Sequence, residues 1–362
     1  MELQRNSKDL QSIQLDELFT TLADEKKFNG NIMVLDKGVP IYAGSFGFAQ
    51  LASSTMLTTD SVFEIASVSK AFTAMGIMIL QEQGKLSYED TIEKFLPDFP
   101  YADISVQNLL THTSGLPDYM ELFEQHWDRS KIATSHDILE QLKLHKPDVY
   151  FRPNEKYEYS NTGYVLLALI IEQVSGTSFA DFMEQRIFHP LEMERTRVYN
   201  RRYSRQSIDN YAYGYVYSKH LDKYCLPDEL AEHDFVFYLD GIQGDGVVNS
   251  TLGDLRKWDR ALYTEKLVSK ETLEKAFSPV LLADHQSYDY GYGWRIRNEP
   301  GVGKVVCHGG GWPGYQTWLG RYIDKDKTLI FLSNMEQDHA RIQATIEAVE
   351  NIIFNRPYQI PE

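Results

Sequence analysis

A lysine one helical turn after a serine, opening a segment with few other polar residues, constrains this chain more than any other feature. The run is Glu64-Ile-Ala-Ser67-Val-Ser-Lys70-Ala-Phe-Thr-Ala74, and it continues through Met75, Ile77, Met78 and Leu80. A helix apolar on every face is a buried one. Ser67 and Lys70, at i and i+3, share one side of it. Lysine is almost never placed inside such a helix unless it is paired or functional. Serine alone is a poor nucleophile, and a lysine in water holds its proton with a pKa of about 10.4. Burial disfavours the ammonium, so the amine can take the proton of the neighbouring hydroxyl. The spacing predicts a serine nucleophile with its base in place, which is equipment for acyl transfer.

The charge balance removes several partners. Lys and Arg number 36 against 52 Asp and Glu, a net charge of −16. Such an acidic surface argues against nucleic acid or an anionic membrane as partner. Two cysteines, Cys225 and Cys307, make no disulfide framework. No stretch approaches the length of a membrane span. The first ten residues lack the apolar run of an export signal. A soluble, cytoplasmic protein is the expectation, or an extracytoplasmic one if a leader has been trimmed. No histidine shows metal-ligand spacing, so neither metal nor cofactor is expected.

Periodicity organises the 362 residues as one catalytic unit. Leu15 to Lys26 reads as an amphipathic helix, and Asn29 to Tyr42 as a hairpin turning at Asp36-Lys-Gly38. Helices follow after Ser67, at Val106 to Leu110, Asp137 to Leu144, Thr162 to Val174 and Phe179 to Ile187. Thr251 to Tyr263 and Lys270 to Phe277 are further helices. Strands are expected at Tyr290 to Ile296, Gly303 to Cys307, Thr317 to Tyr322 and Thr328 to Leu332, then a closing helix from Asp338 to Phe354. Strands at both ends with helices between predict an α/β fold of α+β type. Its antiparallel sheet is built from both termini and flanked by helices, around an inserted, mainly helical lobe. The lobes divide at about 1–66 with 240–362, and 67–239.

Two more segments carry chemistry. Tyr157-Glu-Tyr159-Ser160-Asn161-Thr-Gly-Tyr164 directly precedes an apolar helix, and Cys307-His308-Gly309-Gly310-Gly311-Trp-Pro-Gly314 follows a strand. With Ser-x-x-Lys, these resemble the three motifs of the serine β-lactamase and penicillin-binding protein family, in its class C-like branch. Leu109-Leu-Thr-His-Thr-Ser-Gly-Leu-Pro117 and Gly244-Asp-Gly-Val-Val-Asn-Ser-Thr251 are similar to that family too, so the resemblance spans nearly the full length.

The resemblance implies roles. Ser67 would be acylated, Lys70 would relay its proton, and Tyr159 would exchange a proton with the leaving group and then activate water. Asn161 would hydrogen-bond Lys70 and the substrate, although it also sits where a helix N-cap belongs. The N–H groups of Ser67 and Gly311 would form the oxyanion hole, each such donor being worth about 3 kcal/mol of barrier. His308, Gly309 and Gly310 would lie along the bound substrate, with a partly charged imidazole against a substrate carboxylate. His308 stands where many members have lysine, which weakens a reading as an efficient β-lactamase. Tyr119 can line the pocket or belong to a surface loop, and Asp245 reads better as a turn residue than as a cleft residue. Cys307, one residue from His308 on its strand, should point into the core. The His-Gly-Gly-Gly run also matches an α/β-hydrolase oxyanion motif, but no Gly-x-Ser-x-Gly elbow exists and the run follows the nucleophile.

The expected function is a serine hydrolase of penicillin-binding type, acylated by β-lactams and acting on small D-amino-acid-containing peptides. Two alternatives stay open: an esterase or weak β-lactamase using the same site, and a penicillin-binding sensor that acylates without turnover. The sequence sets no oligomeric state.

Overall fold

The computed structural model describes residues 2–204 and 206–361. Among them the principal sheet has six antiparallel strands: β1 (Gly30–Asp36), β2 (Val39–Phe46), β3 (Arg295–Glu299), β4 (Gly303–Trp312), β5 (Tyr315–Tyr322) and β6 (Lys327–Ser333). Their spatial order is β3-β4-β5-β6-β1-β2, so the first strand of the chain pairs with the last. The hairpin turn between β1 and β2 holds Lys37 and Gly38 both at positive φ, as a tight two-residue hairpin requires.

Side chains alternate across this sheet. On β6, Leu329 and Phe331 enter one apolar cluster, while Ile330 and Leu332 enter another. The first cluster lies beneath two terminal helices, α1 (Glu2–Asp24) and α5 (His339–Ile353); Leu15, Leu18, Phe19 and Leu22 of α1 belong to it. α1 begins well before the expected Leu15. Its first turns carry too few apolar residues to reveal periodicity, but Gln11 donates to the carbonyls of Ile352 and Ile353 at the end of α5.

The second cluster joins the other sheet face to the helices between β2 and β3. At its centre α2 (Lys70–Glu82) is buried from Lys70 to Leu80 and packs against α3 (Asn161–Ser175). Gly76 lets the helices approach closely, because a Cβ there would stand 2.8 Å from both Ile171 Cδ1 and Met183 Cε. α4 (Leu252–Ala261) ties this layer to the sheet, where Asp259 holds Arg321 of β5 in a fully buried ion pair at 2.7 Å. Among the described residues no single helix is long and apolar enough to cross a membrane.

Three expectations needed correction. Tyr290 to Trp294 is not strand; only Arg295 onward pairs with β4. Gly293, at φ +77°, instead carries the chain against the start of α2, where a Cβ would meet the Lys70 carbonyl at 2.8 Å. The glycine run does not follow β4 but lies inside it, since β5 continues to pair as far as Trp312 with Tyr315. Ser67 stands just outside the long helix, in a 3₁₀ turn spanning Ala66–Ser69.

Candidate active site

The turn carrying Ser67 is fixed from three directions. The Ile65 carbonyl accepts a hydrogen bond from Thr317 Oγ1 at 2.8 Å, its N–H donates to the Val248 carbonyl at 2.9 Å, and Ser69 Oγ accepts from Val248 N–H at 3.1 Å. Beneath it lies Gly310, where any Cβ would overlap the Ile65 carbonyl oxygen and Thr317 Oγ1. Ala66 takes φ +46°, a left-handed conformation costly to a residue with a Cβ. Val247 at φ +67° and His112 at φ +58° stand in the same region. For a β-branched valine this is a genuine outlier. The strain sits around Ser67.

Lys70 is fully buried, yet its head is not in an apolar hole. Nζ lies 3.1 Å from Ser67 Oγ, 2.8 Å from Asn161 Oδ1 and 2.7 Å from the Asp245 carbonyl oxygen. An ammonium donates to all three. A neutral amine donates to Asn161 and Asp245 and turns its lone pair to the Ser67 O–H. Both protonation states therefore fit one geometry, and a proton can pass from Ser67 without rearrangement. The burial expected of Lys70 is present, the expected Asn161 amide is one of its partners, and the Asp245 carbonyl adds an oxygen that the sequence did not point to.

Asn161 reaches Lys70 because it is not the N-cap. Ser160 takes that place, its Oγ accepting from Gly163 N–H at 3.2 Å, so Asn161 is the first helical residue and its side chain is free for Lys70. The Tyr159 ring lies 5.0 Å from Lys70 Nζ, with its hydroxyl taking no hydrogen bond among the described residues. His112 packs its ring 4.4 Å from that of Tyr159, and its Nδ1 accepts the Ser160 N–H at 3.0 Å. His112 thus holds the segment bearing Tyr159 and Asn161 from behind, a task that nothing in its local sequence announces.

Tyr119 and Asp245 both line the cleft beside Ser67, Asn161 and Gly311. The Tyr119 hydroxyl donates to Asp245 Oδ2 at 3.0 Å, and burial pushes the Asp245 carboxyl above its ordinary value against the pull of Lys70. Asp245 is in a turn, as expected, but borders the cleft as well. Gly244 shapes that turn at φ +106°, its carbonyl accepting from Thr73 Oγ1 at 2.6 Å.

His308 departs furthest from expectation. Its imidazole is buried, with Nδ1–H donating to the Gly309 carbonyl at 2.7 Å and Nε2 accepting from the Tyr290 hydroxyl at 3.0 Å. Burial, reinforced by nearby Lys70, pushes its pKa down to about 3. The partly charged imidazole foreseen against a carboxylate is neutral at physiological pH. Cys307, its neighbour, points to the opposite face into the core, and burial pushes its thiol up to about 11.

A different cation stands at the mouth. Arg295 is exposed, its guanidinium 5.7 Å from the Tyr159 ring centroid, with no ion pair among the described residues. Beside it β4 runs past its partner: pairing with β3 ends at Cys307, while pairing with β5 reaches Trp312. His308–Trp312 therefore offers a free strand edge on which an extended substrate can lie. Gly309 and Gly311 lie on that edge segment, and around Gly311 a Cβ would meet nothing within 4 Å.

Known proteins resemble this chain in sequence and in fold. The sequence profile of the family described as Beta-lactamase matches residues 15–351. Penicillin-binding protein 4* of Bacillus subtilis (strain 168) is 52% identical over 348 residues, covering 96% of this chain and 77% of that protein. A penicillin-binding protein structure from Bacillus halodurans superposes with a TM-score of 0.78 at 27% identity, over 92% of this chain and 98% of that one. The D-amino acid amidase of Ochrobactrum anthropi SV3, solved with D-phenylalanine, gives 0.76 at 25% identity, over 95% and 99% of the two chains.

Proposed function

Because the chain belongs to the Beta-lactamase family and is a serine hydrolase, we propose that it removes the C-terminal residue of D-Ala-D-Ala-type peptides through an acyl-enzyme on Ser67. The observation that carries this reading is the set of three oxygens around Lys70 Nζ, one of them Ser67 Oγ. Ser67 Oγ attacks the scissile carbonyl and gives its proton to Lys70. The oxyanion rests on the N–H groups of Ser67 and Gly311. As the intermediate collapses, the C–N bond breaks and the leaving amine takes a proton delivered through Tyr159. Water, deprotonated by the same group, then attacks the ester and frees Ser67. The likeness to a D-amino acid amidase supports a D-configured acyl residue.

The choice of a carboxypeptidase over an esterase rests on Arg295. A guanidinium beside Tyr159, without an ion pair among the described residues, supports a contact to the leaving residue's carboxylate. A charge-assisted hydrogen bond contributes roughly 1.5–3 kcal/mol, so Arg295→Ala is expected to lower kcat/KM for a tripeptide ending in D-Ala-D-Ala by about tenfold to a hundredfold, mainly through KM. The C-terminally amidated peptide should be cut poorly by the wild type and be little affected by the substitution. Equal cleavage of acid and amide, with faster turnover of small neutral esters, would transfer the assignment to an esterase.

A further inference from the structure

Arg295 stands beside the Tyr159 ring, while the cleft around Ser67 is lined by two acids, Glu64 and Asp245. The cleft itself is bounded by Ser67, Asn161, Asp245, Trp312 and a further acid, Glu64. We propose, building on the acyl-enzyme reading above, that Glu64 is the specificity residue of the acyl side and selects donors that carry an ammonium group there.

The argument starts from the partners of each neighbouring charge. Glu64 is held rigidly in a short strand, opposite Asn249, three residues before the nucleophile. Its carboxyl has no side-chain hydrogen bond or ion pair among the described residues. The cations that could neutralise it are engaged elsewhere. Arg202 is clamped by Asp228 and Asp240, and Arg201 pairs with Asp228. The other acid of the cleft, Asp245, is already hydrogen-bonded by Tyr119. Among the described residues, Glu64 is thus a carboxyl lining the cleft that has no hydrogen-bonded or ion-paired side chain, with Arg202 and Arg201 acting on it only at a distance.

Its electrostatics agree with that geometry. Burial, with Asp240 and Asp245 adding to it and Arg202 and Arg201 opposing it, pushes the Glu64 carboxyl up to about 8. An isolated buried carboxyl is disfavoured as an anion, and an opposite charge a few ångströms away restores it. A substrate ammonium supplies that charge.

The test uses two pairs of probes: D-Ala-D-Ala against its N-acetyl form, and Nα-acetyl-Lys-D-Ala-D-Ala against its Nα,Nε-diacetyl form. The wild type is expected to favour the amine over the acetylated partner at least tenfold in kcat/KM in one pair. Glu64→Gln should collapse that ratio towards one, and Glu64→Asp should keep part of it. No preference in the wild type, or a preference that survives Glu64→Gln, overturns the proposal. Acylation by benzylpenicillin, followed in parallel, separates this from failure of the underlying chemistry. If the wild type is not acylated, the acyl-enzyme reading falls; if it is acylated and the amine ratio ignores residue 64, only the role of Glu64 falls.

Discussion

Lys70→Met is expected to slow acylation of Ser67 by about 10²–10⁴-fold, the usual contribution of a positioned proton acceptor. Methionine keeps the apolar stem that packs in α2 but offers no basic nitrogen to Ser67 and no N–H to Asn161 or the Asp245 carbonyl. Each of those acceptors, left without a donor, costs roughly 1–3 kcal/mol. The variant should therefore unfold at lower denaturant while still folding cooperatively. Single-turnover acylation by a chromogenic β-lactam reads the rate, and the urea midpoint reads the stability. A rate within tenfold of the wild type would show that another group takes the Ser67 proton.

Gly310→Ala should reduce acylation by about a hundredfold or more, through backbone position alone. The added methyl would overlap the Ile65 carbonyl oxygen and Thr317 Oγ1, the pair that fastens the nucleophile turn to β5. Something must move, and overpacking of this kind costs about 1–3 kcal/mol. The Ser67 N–H then shifts relative to β4, and a misplacement of about 1 Å can cost a hundredfold. The neighbouring Gly311 makes the comparison sharp. A Cβ there meets nothing within 4 Å, so Gly311→Ala should melt close to the wild type while Gly310→Ala melts lower. Equal melting temperatures and equal acylation for Gly310→Ala and the wild type would contradict the packing argument.

Much of this site was legible because its residues break local rules. A lysine inside an otherwise greasy helix needs a reason, and Lys70 found three oxygens. The antiparallel sheet was readable from strands at both ends of the chain, and the alternation on β4 placed Cys307 away from His308. What escaped depends on contacts between distant segments. Asn161 and Ser160 are both good caps, and only the extended backbone at Ser160 (φ −128°, ψ 118°) decides between them. The charge of His308 follows from burial under Tyr290, eighteen residues earlier in a stretch that reads as strand. Arg295 and Glu64 look like ordinary surface charges in sequence. Their meaning lies in missing partners, which periodicity does not report.

The nucleophile itself is open to direct weighing. Intact mass spectrometry after exposure to benzylpenicillin should find one penicilloyl group on the wild-type chain and none on Ser67→Ala. A chain that stays unmodified, or a Ser67→Ala variant that still gains the adduct, contradicts the account.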